Sequence, residues 1–270
     1  VRARAELARV AATLPAQLGG AGGTLAAIAE RIGVDAALEL PRAYARELGL
    51  AAPASVWHTD RAPVTAIGAA LAGVVSAAGV LASDVAQLAR TEVGEASPAS
   101  GGGSSTMPQK ANPVDAVLVR SAALRAPSLL ATLQLAAGLA VDERPDGAWH
   151  AEWPTLQELL RLTLGTAERT AALAEGLVLH PERARANLDA TAGAILSERL
   201  AIHLTPLIGR ERFDALVADA AGGALRARVA ALQEAAELDL DALFDPSHYL
   251  GVAGRVTDEI VREARDGGRR

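Results

Sequence analysis

The stretch Ala62–Ala82 constrains the fold more than any other part of the chain, because it contains no charged residue. A helix of this length is long enough to cross a lipid bilayer. However, Ala, Gly, Ser and Thr dominate the stretch, so its transfer from water into lipid would be only weakly favourable. A helix that other helices surround has the same composition. The sequence therefore predicts a helix buried in a bundle or an oligomer, and we expect no membrane as a partner.

The composition predicts an all-α fold. Half of the residues are apolar, yet only 3% are aromatic, and a preponderance of Ala, Leu and Val favours close-packed helices over a sheet. Long helical patterns run between Gly and Pro breaks, at Val64 to about Glu95, Val114 to about Val141, and Thr155–Leu177. These patterns exceed the mean globular helix of about 11–12 residues, and few charges solvate them. We therefore expect a long-helix bundle that forms the core of a homotetramer.

The helical pattern changes near Gly176–Pro181, after which the helices become shorter and more amphipathic. This change predicts a central helix-bundle domain over 1–178, with a Gly/Ser-rich loop at 96–113, and a small α-helical C-terminal domain over 179–270. Because the chain starts at Val1 inside a helical pattern, we expect the natural protein to extend further in the N-terminal direction, so that the first domain is truncated here.

The charge pattern and the cysteine count exclude several classes of function. The net charge is −6, with acidic and basic residues interspersed, so we expect no nucleic-acid partner and no polybasic membrane patch. The chain has no Cys, which excludes a disulfide framework and thiolate chemistry within it. No secretion signal is visible, and we expect a cytoplasmic protein. The His, Asp and Glu residues show no metal-ligand spacing.

A functional loop is predicted at Gly101–Pro113, which contains the only lysine and the only methionine of the chain, Lys110 and Met107. Every other side-chain cation of the Lys/Arg type is Arg, whose planar fork cannot replace a compact ammonium at a tight site. The glycines give the backbone freedom, and Lys110 and Asn112 offer donors to a developing oxyanion. The alternative is a flexible, solvent-exposed linker.

The segment 103–113, GSSTMPQKANP, resembles the signature loop of the fumarase/aspartase superfamily. Further segments resemble the 3-carboxy-cis,cis-muconate cycloisomerase branch of that superfamily, namely Leu14–Thr24, Trp57–Arg61, Trp149–Trp153 and Pro181–Leu188. The resemblance covers nearly the whole chain and starts in the central domain of the family, so that the family's N-terminal domain is absent.

The resemblance implies addition or elimination next to a carboxylate, through an enediolate intermediate. Ser104 is then expected to be the catalytic base in elimination and the acid in addition, although a serine hydroxyl needs help to ionise. Lys110 and Asn112 are expected to hold the carboxylate that becomes the enediolate. Three further loop residues are expected to bind substrate by shaping a closed lid: Ser105, Thr106 and Met107.

Two arginines outside the loop are candidates for substrate binding. Arg61 and Arg144 lie in segments expected at the same end of the bundle, where either guanidinium could bind a substrate carboxylate. The alternative for each is an ordinary ion pair.

The choice of branch depends on departures from the family's pattern. Fumarases and argininosuccinate lyases usually have a Glu five residues after the loop Asn, where this chain has Val117. Adenylosuccinate lyases grip a phosphate with a Ser and an Arg, where this chain has Trp149 and Trp153. Both departures suit a small polycarboxylate as the substrate.

The resemblance therefore implies cycloisomerisation of 3-carboxy-cis,cis-muconate to a carboxymuconolactone, a reaction of aromatic catabolism, with no metal or organic cofactor and with active sites shared between subunits. A second hypothesis is a lyase that releases fumarate from a substituted succinate of the nitrosuccinate or adenylosuccinate type. A third hypothesis is a helical oligomerisation module without activity of its own.

Overall fold

The computed structural model describes residues 1–98, 102–103, 111–219 and 225–267, and they confirm the predicted all-α fold. The described residues form two compact units, of which unit 1 comprises Val1–Ala89 with Ala96–Val178 and unit 2 comprises Arg90–Glu95 with Leu179–Arg270. That these units are the two predicted domains stays a prediction. The helices of unit 1 are α1 (Arg2–Ala12), α2 (Ala26–Ile32), α3 (Val34–Leu48), α4 (Ala62–Leu88), α5 (Val114–Gly138) and α6 (Ala148–Glu175).

Short strands accompany these helices. The strands are β1 (Ala96–Pro98), β2 (Gly102–Gly103), β3 (Ala111–Asn112) and β4 (Leu177–Leu179). β1 pairs with β4, and β2 pairs antiparallel with β3. The second pairing brings the two described ends of the Gly/Ser-rich loop together, directly before α5 begins.

Helices α4, α5 and α6 pack against one another, and α1 packs on α4. Their core contains Val75, Leu133 and Leu159, which are fully buried. Glycines allow α4 to approach α5 closely. A Cβ at Gly68 would lie 2.6 Å from Leu133 Cδ1, and a Cβ at Gly79 would lie 2.5 Å from Ala123 Cβ. Small residues in the uncharged stretch therefore permit close contact between the backbones of these helices.

Two of these helices, α4 and α5, have the length and the hydropathy of a membrane span. In α4 the residues that face the core are buried, whereas Val80 on another face is 65% exposed. Within one chain, therefore, only one side of α4 is buried as predicted.

Helix α6 begins at Ala148, well before the predicted Thr155. Gly147, with φ of +67°, starts it in a conformation that favours glycine. Pro154 lies inside the helix on its exposed side, so that the carbonyl that it leaves without an N–H partner lies near the surface. As a result, the segment Trp149–Trp153 is helical, although the sequence predicted this helix only from Thr155.

Unit 2 has its own core of short helices. Its α-helices are α7 (Pro181–Asp189), α8 (Ser197–Ile208), α9 (Arg210–Asp219), α10 (Leu225–Ala230), α11 (Leu240–Leu243) and α12 (Ala253–Gly267), with 3₁₀ turns at Ala194–Leu196, Gln233–Ala235 and Pro246–Tyr249. Leu200, Leu204 and Val229 are fully buried. The segment Arg90–Glu95 joins this unit through Asn187, whose Nδ2 donates to Val93 O at 2.9 Å and to Glu95 Oε1 at 2.8 Å.

The close approach of α4 to α5 predicts opposite effects for two glycine substitutions in one helix. Gly79→Ala places a methyl group against the rigid Ala123 Cβ, so we expect a loss of about 1–3 kcal/mol in the free energy of unfolding. Gly73 is exposed and would meet no atom within 4 Å, so Gly73→Ala should gain up to about 1 kcal/mol from helix propensity. Urea denaturation at matched protein concentration measures both, and equal effects would contradict the packing described.

Candidate functional site

The residues predicted from the signature loop are only partly described. Asn112 lies in β3, where it is paired with Gly102 of β2. The other predicted loop residues lie outside the described residues, namely Ser104, Ser105, Thr106, Met107 and Lys110. Their predicted roles therefore stay predictions.

Arg61 forms a buried ion pair with Glu152. Arg61 lies at the N-terminus of α4, and Glu152 lies early in α6. The Nε of Arg61 donates to Oε2 of Glu152 at 2.8 Å, and its Nη2 donates to Oε1 at 2.6 Å. The two side chains are only 10% and 4% exposed. This two-bond geometry is the strong form of an Arg–carboxylate pair, and it joins the beginnings of two core helices.

The Arg61 guanidinium has further hydrogen-bond partners on its other edge, and two tryptophan rings lie near it. Its Nη1 donates to the carbonyl of Trp57 at 3.2 Å and to that of His58 at 3.5 Å. Its Cζ lies 5.1 Å from the centroid of the Trp57 ring and 6.0 Å from that of the Trp149 ring. Because most of its N–H donors are occupied in this way, Arg61 has little capacity left for a substrate carboxylate. Its predicted role in substrate binding stays a prediction.

All three tryptophans of the chain lie in this cluster. Trp149 Nε1 donates to His58 O at 3.3 Å, and the Trp149 ring stacks on the ring of Trp153, with 6.3 Å between the centroids. Trp153 is 49% exposed, and the exposed His150 lies beside it, with a centroid distance of 5.0 Å. The cluster therefore extends from the buried ion pair to an aromatic surface at the start of α6.

The same cluster is tied to the glycine-rich turn after α1. Trp57 Nε1 donates to Ala16 O at 2.9 Å, and Trp57 N donates to Gln17 Oε1 at 3.2 Å. A Cβ at Gly23 would lie 3.2 Å from Val56 Cγ1 and 3.6 Å from an oxygen of Glu143. Three segments that are remote in sequence therefore converge.

Arg144 lies in the loop that leads into α6. It is exposed, and it has no ion pair with any residue in the described ranges. The loop bends at Asp142, with φ of +50°, and at Gly147, and between them Pro145 is fully buried. Pro145 thus anchors the loop, while the guanidinium of Arg144 is exposed. The role of Arg144 in binding a carboxylate stays a prediction.

The sequence-based prediction missed Glu152. Trp149, Glu152 and Trp153 have the i, i+3, i+4 spacing that places side chains on one helical face, and this signal was available once the segment was treated as a helix.

Two buried polar atoms of the cluster have no hydrogen-bond partner among the described residues: Gln17 Nε2 and His58 Nδ1. Within the described ranges, no three His, Asp or Glu residues come together in a way that could hold a metal ion.

Comparison with known proteins finds related enzymes. A family model described as lyase matches residues 3–127. Nitrosuccinate lyase of Streptomyces davaonensis is 46% identical over 275 residues, which cover 96% of this chain and 58% of that protein. The 3-carboxy-cis,cis-muconate cycloisomerase of Pseudomonas aeruginosa is 42% identical over 260 residues, which cover 92% of this chain and 55% of that protein. The chain therefore spans less than two thirds of the length of these relatives.

Solved structures agree with this comparison. The crystal structure of 3-carboxy-cis,cis-muconate lactonizing enzyme from Pseudomonas putida matches with a TM-score of 0.87 and 37% identity, over 98% of this chain and 61% of that chain. The crystal structure of a fumarate lyase from Mesorhizobium matches with a TM-score of 0.82 and 30% identity, over 96% of this chain and 60% of that chain. The helical architecture is therefore shared with enzymes of this type.

The burial of the ion pair predicts unequal costs for two arginine substitutions. Arg61→Ala leaves the Glu152 carboxylate buried and unpaired, so we expect a loss of about 3–5 kcal/mol in the free energy of unfolding. Arg125 pairs with Glu158 at the surface, where both side chains are about half exposed, so Arg125→Ala should cost less than about 1 kcal/mol. Denaturant unfolding of the two variants measures the difference. A small loss at Arg61 would contradict the buried pairing.

Proposed function

We propose that this chain, which belongs to the fumarase/aspartase superfamily, provides the signature loop and helix bundle of an enzyme acting on a small polycarboxylate. The superfamily and enzyme class predicted from the sequence are confirmed by the lyase family match and by the similar cycloisomerases. The reaction that we propose is cycloisomerisation of 3-carboxy-cis,cis-muconate to a carboxymuconolactone. The observation that supports it is the similarity, over nearly the whole chain, to several cycloisomerases of that name.

The proposed reaction is an isomerisation, so it needs no oxidant and no second substrate. A carboxylate oxygen of the substrate forms a C–O bond with the β-carbon of a conjugated C=C bond. The π-electron pair of that C=C bond moves towards the neighbouring carboxylate, which becomes an enediolate. Lys110 and Asn112 donate to the enediolate oxygens. The Ser104 hydroxyl then protonates the α-carbon and completes the lactone. Because the attacking carboxylate releases no proton, a proton from solvent restores the serine hydroxyl.

A second candidate reaction is an elimination, which passes through the same type of intermediate, an enediolate. Here Ser104 removes the proton next to a carboxylate of nitrosuccinate, and the resulting enediolate expels nitrite from the β-carbon to leave fumarate. The observation that favours it is the high identity to a nitrosuccinate lyase along almost the entire chain.

The two reactions predict different products from the full gene product that contains this chain. We expect 3-carboxy-cis,cis-muconate to lose its conjugated diene absorbance without release of a small anion. We expect nitrosuccinate, tested in parallel, to yield fumarate and nitrite only if the second candidate is correct. Absence of turnover with both substrates would contradict the proposed class of reaction and favour a helical module without activity.

A substitution in the loop is the control for this assay. Lys110→Met removes a donor to the enediolate, so kcat with the active substrate should fall about 10²- to 10³-fold. The matched control is Arg262→Met, which removes a cation from the exposed helix α12 and should leave kcat unchanged. Near-normal turnover by Lys110→Met would refute the role of the loop.

We also propose that the enzyme is a cytoplasmic homotetramer with active sites shared between copies, and that neither a membrane nor a nucleic acid is its partner. Apolar side chains on the outer faces of the long helices support this assembly. Val80 of α4 and Leu124 of α5 are 65% and 81% exposed. They line a groove of about 470 Å³ together with Ser76 and Arg120. Helices of further copies would remove this apolar surface from water.

The assembly predicts the mass of the particle in solution. Light scattering should give four times the mass of one chain. Leu124→Glu places a charge in the proposed contact and should lower that mass, whereas Leu250→Glu, at an exposed leucine of unit 2, should leave it unchanged. A wild-type monomer at micromolar concentration would contradict the proposal.

A further inference from the structure

We propose that Glu152 is a positioning residue of the active site. Its carboxylate would hold Arg61 in one orientation and thereby fix the tryptophan cluster beside the loop that carries Arg144. This inference rests on the proposed function for its effect on turnover. Among the ion pairs of the described residues, the one between Arg61 and Glu152 is distinguished by burial, since both of its side chains are at most 10% exposed.

The arrangement of donors around Arg61 points to positioning and not to substrate binding. Glu152 takes two N–H groups of the guanidinium on one edge, and the carbonyls of Trp57 and His58 accept from the other edge. The guanidinium carbon also lies over the rings of Trp57 and Trp149. These hydrogen bonds restrict the orientation of the guanidinium, and two of them depend on the carboxylate of Glu152.

Thermodynamic stability alone does not require a buried pair at this place. Removing two charges from water costs several kcal/mol per ion, and well-packed apolar residues of similar volume are often at least as stable. A directional pair, however, fixes both the distance and the angle between the groups that it joins. Here it fixes the start of α4 relative to the start of α6, which an apolar contact would define less strictly.

The orientation of the pair extends to the aromatic surface of the site. The Trp149 ring lies near the Arg61 guanidinium and also stacks on the half-exposed Trp153. The loop with Glu143 and Arg144 enters α6 directly before Trp149. Trp57 in turn donates hydrogen bonds to Ala16 and Gln17, which precede the glycine-rich turn. Loss of the carboxylate should therefore change the positions of all three segments together.

The tryptophans provide a signal specific to this cluster, because the chain has no others. We compare Glu152→Gln, which retains the size but loses the two-oxygen acceptor, with Glu152→Asp, which retains the charge. The matched control is Glu158→Gln, in the same helix, whose partner Arg125 is half exposed. Near-ultraviolet and far-ultraviolet circular dichroism are measured on the 270-residue chain, which contains only these three tryptophans. kcat and KM with the active substrate are measured on the full gene product.

For Glu152→Gln we expect an unchanged helical signal and a reduced tryptophan band. Because a misplacement of about 1 Å can cost 10²-fold, kcat/KM per folded molecule should fall about 10- to 100-fold. Glu152→Asp should recover part of both losses, and Glu158→Gln should match the wild type. If Glu152→Gln keeps the wild-type tryptophan band, or lowers only the amount of folded protein while kcat/KM per folded molecule is unchanged, the inference is overturned.

Failure of the proposed function is distinguishable from failure of this inference. An inactive wild type would contradict the proposed reaction. The near-ultraviolet spectra of the variants would still decide whether Glu152 positions the tryptophans, since that comparison requires no substrate. Wild-type turnover with an unaltered Glu152→Gln variant would instead retain the function and reject the positioning role.

Discussion

The organisation of the candidate site depends on the buried ion pair between Arg61 and Glu152. Neither charge is stable at this depth without the other, so the chain must bring the start of α4 and the start of α6 to one distance. The carbonyls of Trp57 and His58 complete the coordination of the guanidinium. The constraint therefore passes from two side chains to the backbone of the segment before α4 and, through Trp57, to the turn after α1.

The helix bundle can satisfy this constraint because its helices approach closely. Gly68 and Gly79 allow α4 to lie against Leu133 and Ala123 of α5 with no room for a Cβ. The same small residues make α4 apolar without making it bulky. Val80, on an outer face of this helix, is exposed. The uncharged, apolar composition of α4 therefore accounts both for its close packing inside the chain and for its apolar outer face.

The sequence predicted that the three long helices exist, because their apolar length is a local property, but it extended the first to about Glu95, whereas α4 ends at Leu88. It failed at the start of α6, where Pro154 suggested a break, although a proline on the exposed side of a helix is tolerated. It could not identify Glu152 as the partner of Arg61, because that choice depends on the approach of two segments far apart in the chain. The roles of Ser104 and Lys110 come from a motif alone, since these residues lie outside the described ranges.

The two candidate reactions share their intermediate, and this explains why the signature loop does not discriminate between them. An enediolate requires the same donors whether an oxygen adds to the β-carbon or nitrite leaves it, so the roles proposed for Ser104, Lys110 and Asn112 apply to both reactions. The groups that differ surround the β-carbon, where one reaction must admit an internal carboxylate and the other must release an anion. Selectivity should therefore depend on side chains that are not bound to the enediolate. If the proposed site is correct, the outward-facing Arg144 and the half-exposed Trp153 are candidates for this role.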